Sequence, residues 1–507
     1  MVFFKKQKNE AFRPDQPGAL HLNDHTMHKQ LENNIALMQK IFEDDDTLIV
    51  RRFENEKHTT IKCCAFLIDG MVNNKVVDES IIMPIIKSTY LTKGPDLVDD
   101  IISSTLSSNS VKKIQDLDEL VLDLIRGDTA LFVDGSDSAV VISSKGWETR
   151  AIAEPDAEKV LRGPREGYTE SLLINLTLLR RKLNTPDLKF KRMIIGTRTN
   201  TRLCVCYLDS LVDKNVLYEL IKRLNAIEID GVLDTNYISE LIKDHPMSPF
   251  KTIGASERPD VTASKLLEGR MAVLLDGTPV VLTVPYIFIE NFQAADDYYL
   301  NFYFASIGRF LRILGFFLSI SVPAVYVAFI TFHRELIPTN LALSIMQAHQ
   351  GVPFPTILEC IIMLVIFEII RETGIRMPSN IGQALSVVGA LVIGQAAVDA
   401  KFISAPMVIV VAVTAITGLI NPKLKGATVI LRFTCLFAAA FVGLYGYAFI
   451  IILMLSHLFS LDSFGVIYTS NLSSYHFQEV KDDVFRAPWK FMKKRPNFAK
   501  RDMVRKK

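Results

Sequence analysis

Polar and apolar residues are spread unevenly along this chain of 507 residues. Up to about residue 300 they alternate over short stretches and charge is frequent throughout. Beyond that point apolar runs begin near Ile307 and recur to about Leu461: Leu311–Phe332, Pro355–Ile370, Ile381–Val398, Ile403–Ile420 and Val429–Leu461. A bilayer core about 30 Å thick takes about 20 mostly apolar residues in a helix. Backbone facing lipid has to satisfy its own polar groups, which a helix does. The pattern therefore predicts an α+β or α/β two-lobed soluble head followed by an all-α polytopic membrane domain. The divisions expected are a polar lead-in and helix at 1–46, a first α/β subdomain at 47–153, and a linker helix with a second subdomain at 154–298. A transmembrane helical domain at 299–465 and a basic cytoplasmic tail at 466–507 complete the chain.

The head repeats its own pattern. After a helix over Met27–Phe42, the stretches Thr47–Arg52 and Ile61–Ile68 have strand character, the second ending at Asp69-Gly70. Helical patterns over Val76–Ile86 and Leu117–Ile125 lead to Ala130–Val133, the dipeptide Asp134-Gly135 and Ala139–Ile142. The second unit runs Met193–Thr197, Arg202–Leu208, Asp209-Ser210, a helix over Val216–Leu224, a helix over Thr262–Gly269, then Met271–Leu275, Asp276-Gly277 and Val280–Val284. ALFVDGSDSAVVI and AVLLDGTPVVLTV each turn on Asp-Gly, a favoured hairpin turn. The interface between two such lobes is a place for a ligand or a partner, although duplication alone gives the same pattern. The four aspartates sit at strand ends before Gly or Ser, so turn chemistry accounts for them better than a carboxylate site does.

Composition adds limits. Lys and Arg number 57 against 55 Asp and Glu, so overall charge points to no partner class. The tail WKFMKKRPNFAKRDMVRKK from Trp489 is strongly basic, and beside a membrane such a tail stays cytoplasmic against anionic lipid. A nucleic-acid arm has a similar composition, but the adjacent membrane domain argues against nucleic acid as a partner. The six cysteines form no CxxC pair and no histidine cluster has metal-ligand spacing, so buried structural cysteines and no metal or cofactor are expected. The acidic run Glu43–Asp46 lacks the alternation of a calcium loop. GxxxxGK[ST], GxGxxG after a strand, GxSxG and HExxH are all absent, which leaves no catalytic residues to name and argues against an enzyme. The first residues lack the continuous apolar core of a signal peptide, so the head is expected in the cytosol.

The stretch LRGPREGYTESLLINLTLLRRKL, Leu161–Leu183, joins the lobes through a rigid basic turn and a helix from near Thr169. A well-capped connecting helix explains it; so does a subunit contact through Arg162, Arg165, Glu166, Arg180 and Arg181, or arginines resting on lipid phosphates. Together with Ser256–Tyr299 and QALSVVGALVIGQAAVDAKFIS at Gln383–Ser404, this stretch resembles the A subunits of the GerA-type spore germination receptors. The likeness extends from about Thr47 to the basic tail. It implies the inner membrane of a bacterial spore, B and C subunits as partners with the B subunit credited with nutrient binding, and an oligomer, expected to be a pentamer, that conducts ions when nutrient is sensed. Related A-type proteins act beside receptors as amplifiers of ion release, and the resemblance covers both.

The residues are compatible with conduction. Gly382, Ser386, Gly389, Ala390, Gly394 and Ala397 put small residues along one side of Ile381–Val398, which lets helices approach closely. The candidate pore-lining residues are Gln383, Ser386, Val387, Val388, Ala390, Leu391, Gly394 and Gln395, with Val387, Val388 or Leu391 as a constriction that gates by dewetting. Tight packing inside a monomeric bundle uses the same glycines. Glu359 and Glu368 fall in or beside one apolar run, nearly opposite on a helix, so both cannot face one pore; Glu368 has Arg371 within pairing reach. Asp399 and Lys401 are candidates for a charged mouth.

Topology is the strained point. Arg309, Arg312, Arg371, Arg376, Lys423, Lys425 and Arg432 all suit the cytoplasmic side. A cytoplasmic tail then requires an even number of crossings. Either Val429–Leu461 is two short spans turning near Gly443 or Gly446, or Ile381–Val398 is re-entrant, which sets Lys423 and Lys425 outside against the charge rule. A non-conducting scaffold that couples its partners is the alternative to a channel, and secondary transport is weakly served by Pro323 and the glycines.

Overall fold

A computed structural model describes residues 26–89, 91, 97–105, 110–146, 154–155, 158–376, 392–470, 482–492 and 495. The N-terminal part is α+β and the C-terminal part helical. In the first lobe, β1 (Leu48–Glu54), β2 (Lys62–Ile68), β3 (Val111–Ile114), β4 (Thr129–Val133) and β5 (Ala139–Ile142) form an antiparallel sheet ordered β1-β2-β4-β5-β3. The second lobe repeats that order as β6-β7-β9-β10-β8, with β6 (Leu188–Ile195), β7 (Thr201–Leu208), β8 (Gly254–Ser256), β9 (Met271–Leu275) and β10 (Val281–Val284). The sequence pattern anticipates four strands of each sheet, although β6 starts five residues before the expected Met193. It misses β3 and β8: VKKI is an edge strand with two exposed lysines, and GAS is three residues long.

Each sheet is covered on both faces. Side chains alternate across a strand, so β2 sends Cys64, Phe66 and Ile68 towards helices α1 (Leu31–Ile41) and α2 (Leu117–Ile125). Cys63, Ala65 and Leu67 face Val77, Ile81 and Ile85 on the other side. This explains why KCCAFLI is a continuous apolar run. In the second lobe α3 (Leu172–Lys182), joined by α5 (Pro259–Leu266), and α4 (Lys214–Asn225) cover opposite faces of β7 and β9.

The repeat reaches further back than the strand pattern indicates. Asp134 accepts the backbone N–H of Leu31 at 3.2 Å, and Asp276 accepts that of Leu172 at 2.9 Å. Each Asp-Gly hairpin thus serves an orphan donor at the start of a helix about a hundred residues earlier. Asn34 brackets His28 through both its N–H and C=O, and Asn175 brackets Thr169 in the same way. The stretch read from sequence as a linker helix is therefore the second copy of α1.

α3 also welds the lobes together. Arg180, with its side chain 1% exposed, donates to Asp45 at 2.6 Å and to Thr47 at 2.9 Å, and its guanidinium lies 4.5 Å from the Phe190 ring centre. Thr177 donates to the carbonyl of Gly70, and Arg192 pairs with Asp69 at 2.8 Å. Buried charges hold only when paired and hydrogen-bonded. The contact between lobes, which the sequence leaves open between a ligand or partner site and duplication alone, carries the chain's own ion pair.

The helical part is built around α6 (Phe302–Thr331), which packs on α8 (Ala405–Leu419) and α9 (Lys425–Val442). α7 (Thr356–Arg376) and α10 (Leu444–Ser460) complete it, and a short helix Thr339–Ala348, absent from the sequence reading, joins α6 to α7. The run Val429–Leu461 breaks at Gly443, whose φ of 68° suits glycine, so α9 and α10 form an antiparallel hairpin.

The Arg180 bond predicts a sharp contrast. Arg180→Ala strands buried Asp45 and should destabilise the full-length chain by about 3–5 kcal/mol. Arg181→Ala, on the half-exposed neighbour, should cost less than about 1 kcal/mol. Thermal unfolding of the two purified variants checks this.

Candidate functional site: the charged junction of head and bundle

Two arginines near the start of α6 turn back onto the head. Arg309, fully buried, donates from Nε to Asp297 at 2.9 Å and from Nη1 to Asp482 at 2.9 Å. Arg312 forks the same Asp297 carboxylate, with Nη1 to Oδ2 at 2.9 Å and a second bond from Nη2. Arg486 donates to the carbonyls of Asp297 and Leu300. Burial opposes ionisation of Asp297, but Arg312 and Arg309 outweigh it and hold the carboxyl below its ordinary range.

The chain returns to the same place after α10. His457, near the end of that helix, lies 3.0 Å from Ser248, and Asp462 lies 2.7 Å from His245. Ser463 donates to the carbonyl of Thr252 and accepts from the N–H of Tyr286. Tyr468 joins Phe288, Phe292 and Phe316 in one core shared by head and helices. Between α8 and α9, Lys423 donates to the carbonyl of Gln293 at 3.1 Å and Asn421 to that of Arg312.

These contacts enclose a cavity of about 700 Å³ between the second lobe and the α8–α9 turn, lined among others by Lys265, Glu290, Tyr298, Tyr299, Arg312 and Lys423. Glu290, 3% exposed, pairs with Lys265 at 2.8 Å and with Arg270. Burial raises its pKa, but Arg270 and Lys265 prevail and hold it low. The cavity walls therefore carry fixed charges of both signs.

A second charged station lies midway along the bundle. Pro323 has no N–H, so the carbonyl of Ser319, one turn earlier in α6, has no partner in its own helix. Arg432 of α9 supplies one from Nε at 2.9 Å, while Nη1 reaches Glu368 of α7 at 3.0 Å. Glu368 also pairs with Arg371. In an apolar bundle an unmatched carbonyl costs several kcal/mol, and this arginine removes the orphan while tying three helices together.

Comparison with known proteins gives the family. Residues 36–498 match the model of the Bacillus/Clostridium GerA spore germination protein. Spore germination protein KA of Bacillus subtilis is 42% identical over 478 residues, which cover 94% of this chain and 88% of the relative. Spore germination protein GerLA of Bacillus cereus is 32% identical over 92% of this chain and 96% of its own length. A crystal structure of the N-terminal domain of the A subunit of the Bacillus megaterium germinant receptor GerK3 covers 52% of this chain and 98% of that domain, at 29% identity and a TM-score of 0.42. The chain belongs to the GerA family of spore germinant receptor A subunits.

Several residues of this GerA protein stand differently from their sequence-based placement. Arg432, read as marking a cytoplasmic loop, is buried two turns inside α9, because positional charge rules count arginines without seeing their partners. Arg180 faces the chain's own first lobe, so its guanidinium is not open to another subunit. Arg162 and Arg165 are exposed, and Glu166 pairs with Arg181 at 3.6 Å and Lys182 at 2.8 Å. Glu359 is fully buried at the N-terminus of α8, accepting the N–H of Ser404 at 2.8 Å. Asp399 is exposed, and Lys401 lies against Gly351. Gly394 is buried and Gln395 exposed on a helix at 392–399, whereas Gln383, Ser386, Val387, Val388, Ala390 and Leu391 lie outside the described residues. All six cysteines are buried, and burial pushes the Cys63 thiol up to about 12.

Two outcomes follow for this GerA chain. Arg432→Met should cost about 3–5 kcal/mol, and adding Pro323→Ala, which restores a donor for Ser319, should recover about 1 kcal/mol; thermal unfolding in detergent measures both. Asp297→Asn should destabilise the junction at neutral pH by a similar amount. Because the folded Asp297 pKa is depressed, its stabilisation is complete above the unfolded value of about 3.9 and disappears as pH falls through the folded one. The difference in melting temperature between wild type and Asp297→Asn should therefore hold from neutral pH down to about pH 4 and shrink below it.

Proposed function

We propose that this chain is the A subunit of a nutrient germinant receptor in the inner membrane of a bacterial spore, and that it oligomerises, as a pentamer, into an ion path that opens when nutrient is sensed. Its partners are B and C subunits and membrane lipid, and it performs no catalysis. The helical part at 299–465 crosses the membrane, with the head at 47–298 and the basic tail at 466–507 on the cytoplasmic side. The segment 381–398 lines the path through Gln383, Ser386, Val387, Val388, Ala390, Leu391, Gly394 and Gln395.

The carrying observation is the double attachment of bundle to head: Arg309 and Arg312 at one end of α6, and the return through His457, Asp462 and Ser463 after α10. A displacement of the second lobe is thereby delivered to α6, α8, α9 and α10 together. Support for the membrane comes from two helices long and apolar enough to cross it, Phe302–Thr331 and Pro422–Val442, with the shorter apolar helices Ala405–Leu419 and Leu444–Ser460 beside them. Their outer surfaces expose Phe310, Leu314, Phe317, Ile409, Ile416, Phe437, Phe441, Phe449 and Ile452, an apolar belt suited to lipid. Lys425 lies within 4.0 Å of Glu372, which sets the end of α7 near the head, whereas Ser404 meets Glu359 at the far end. Six crossings satisfy these contacts and return the tail to the side of the head, which favours two short spans over a re-entrant segment.

Spores carrying Val387→Ala or Val388→Ala test the path. Ion release and germination should proceed without nutrient, or at lower nutrient, while subunit levels stay normal. Unchanged release from both variants and from polar replacements along 381–398 would remove this segment from the path. The alternative of an accessory A-type channel predicts the same flux changes without dependence on co-produced B and C subunits.

A further inference from the structure

The cavity at the junction holds a cation whose charge the protein leaves unmatched. Lys423 stands in the turn between α8 and α9, half-buried, and its ammonium donates to the Gln293 carbonyl at 3.1 Å. Among the described residues it has no carboxylate within ion-pair reach. The nearby carboxylates on the same walls are taken. Glu290 meets Lys265 at 2.8 Å and Arg270, Asp260 meets Arg258 at 2.9 Å, and Glu158 accepts the Ser256 hydroxyl at 2.6 Å. A lysine kept only for the charge of a cytoplasmic loop would extend its ammonium into water. This one is turned onto the wall of a cavity of about 700 Å³.

A second cation stands beside it. Asn421, two residues before Lys423, donates to the backbone carbonyl of Arg312, which ties the two cationic residues to one side of the cavity. Arg312 uses Nη1 and Nη2 on Asp297 and Phe292, and its Nε makes no bond among the described residues. Lys423 likewise keeps N–H donors beyond the one on Gln293. Donors from two elements suit a tetrahedral anion, whose oxygens point to several sides, and both side chains bind phosphate well.

The rest of the wall is apolar and reaches the surface. Leu267, Ile420 and Trp489 line the cavity and are 47%, 39% and 56% exposed. Ile420 directly follows Ile416 and Leu419 of α8, both exposed in the apolar belt of the bundle. An anionic head and an apolar body are therefore both provided for. Basic pockets between helices at a cytoplasmic membrane face take lipid head groups with this combination.

We propose that the junction cavity binds the phosphate group of an amphiphilic phosphate ester, with Lys423 and Arg312 as its cationic donors and Leu267, Ile420 and Trp489 against its apolar part. Two sources carry that chemistry: an anionic phospholipid of the surrounding bilayer, and a soluble organic phosphate. The continuity of Ile420 with the belt favours the lipid. That choice rests on the membrane reading, whereas the phosphate site does not.

Native mass spectrometry of the delipidated full-length chain in detergent tests the site, with phosphatidylglycerol, phosphatidylcholine and glycerol 3-phosphate as probes. A single phosphatidylglycerol should be retained in preference to phosphatidylcholine. Lys423→Met should weaken that binding about tenfold, the scale of one lost charge-assisted hydrogen bond, and Lys423→Arg should preserve it. Ser264→Glu, at an exposed position on the same wall, adds a repelling charge and should also weaken it. Glycerol 3-phosphate bound with the same dependence on Lys423, and no preference for phosphatidylglycerol, assigns the site to a soluble phosphate and counts against the membrane source. Absence of saturable binding by either phosphate probe, or binding undiminished in Lys423→Met, overturns the site. If Lys423→Met does not fold, undiminished binding in Ser264→Glu does so instead.

Discussion

The carboxylate of Asp297 is the point on which the architecture turns. It receives Arg309 and Arg312 from the start of α6, while its backbone carbonyl receives Arg486 from the returning chain. Buried guanidinium groups are tolerated only where their charge is matched and their donors are used. Here the head supplies the match, so the first helix of the bundle cannot take this position without it. Pro323 creates a comparable dependence deeper down, where α6 lacks a donor of its own and takes one from α9.

Two kinds of contact follow from this arrangement, and they suit different jobs. The lobes are joined to each other by a closed ion pair, Arg180 with Asp45, which leaves little freedom between them. The second lobe meets the bundle around a cavity with charges of both signs, bounded by Lys265, Glu290, Arg312 and Lys423. A rigid two-lobed body resting on an incompletely filled charged seat is a sound mechanical basis for coupling a signal to helices.

Legibility from sequence followed the range of the interactions. The Asp-Gly hairpins and the apolar strands β2, β4, β7 and β9 were evident because turn chemistry and side-chain alternation are local. The equivalence of α1 and α3 was hidden, since Asp134 and Asp276 cap helices about a hundred residues upstream. Short or polar edge strands such as Val111–Ile114 and Gly254–Ser256 carry too little apolar signal to be seen. The buried charges of the bundle were legible only in part: Glu359 and Glu368 stood out as charges in an apolar run, but their partners Ser404 and Arg432 lie on other elements. A proline in one apolar run with an arginine in another was the available clue to the Ser319–Arg432 bond.

The central claim is that this chain, with its partners, opens an ion path in response to nutrient. Ion flux across liposomes containing the purified assembly, measured with and without nutrient and with and without the B and C subunits, addresses it most directly. The account predicts flux that requires nutrient and the intact assembly. An assembly demonstrably complete and nutrient-bound, yet electrically silent, would contradict it and leave this chain a scaffold for conduction elsewhere.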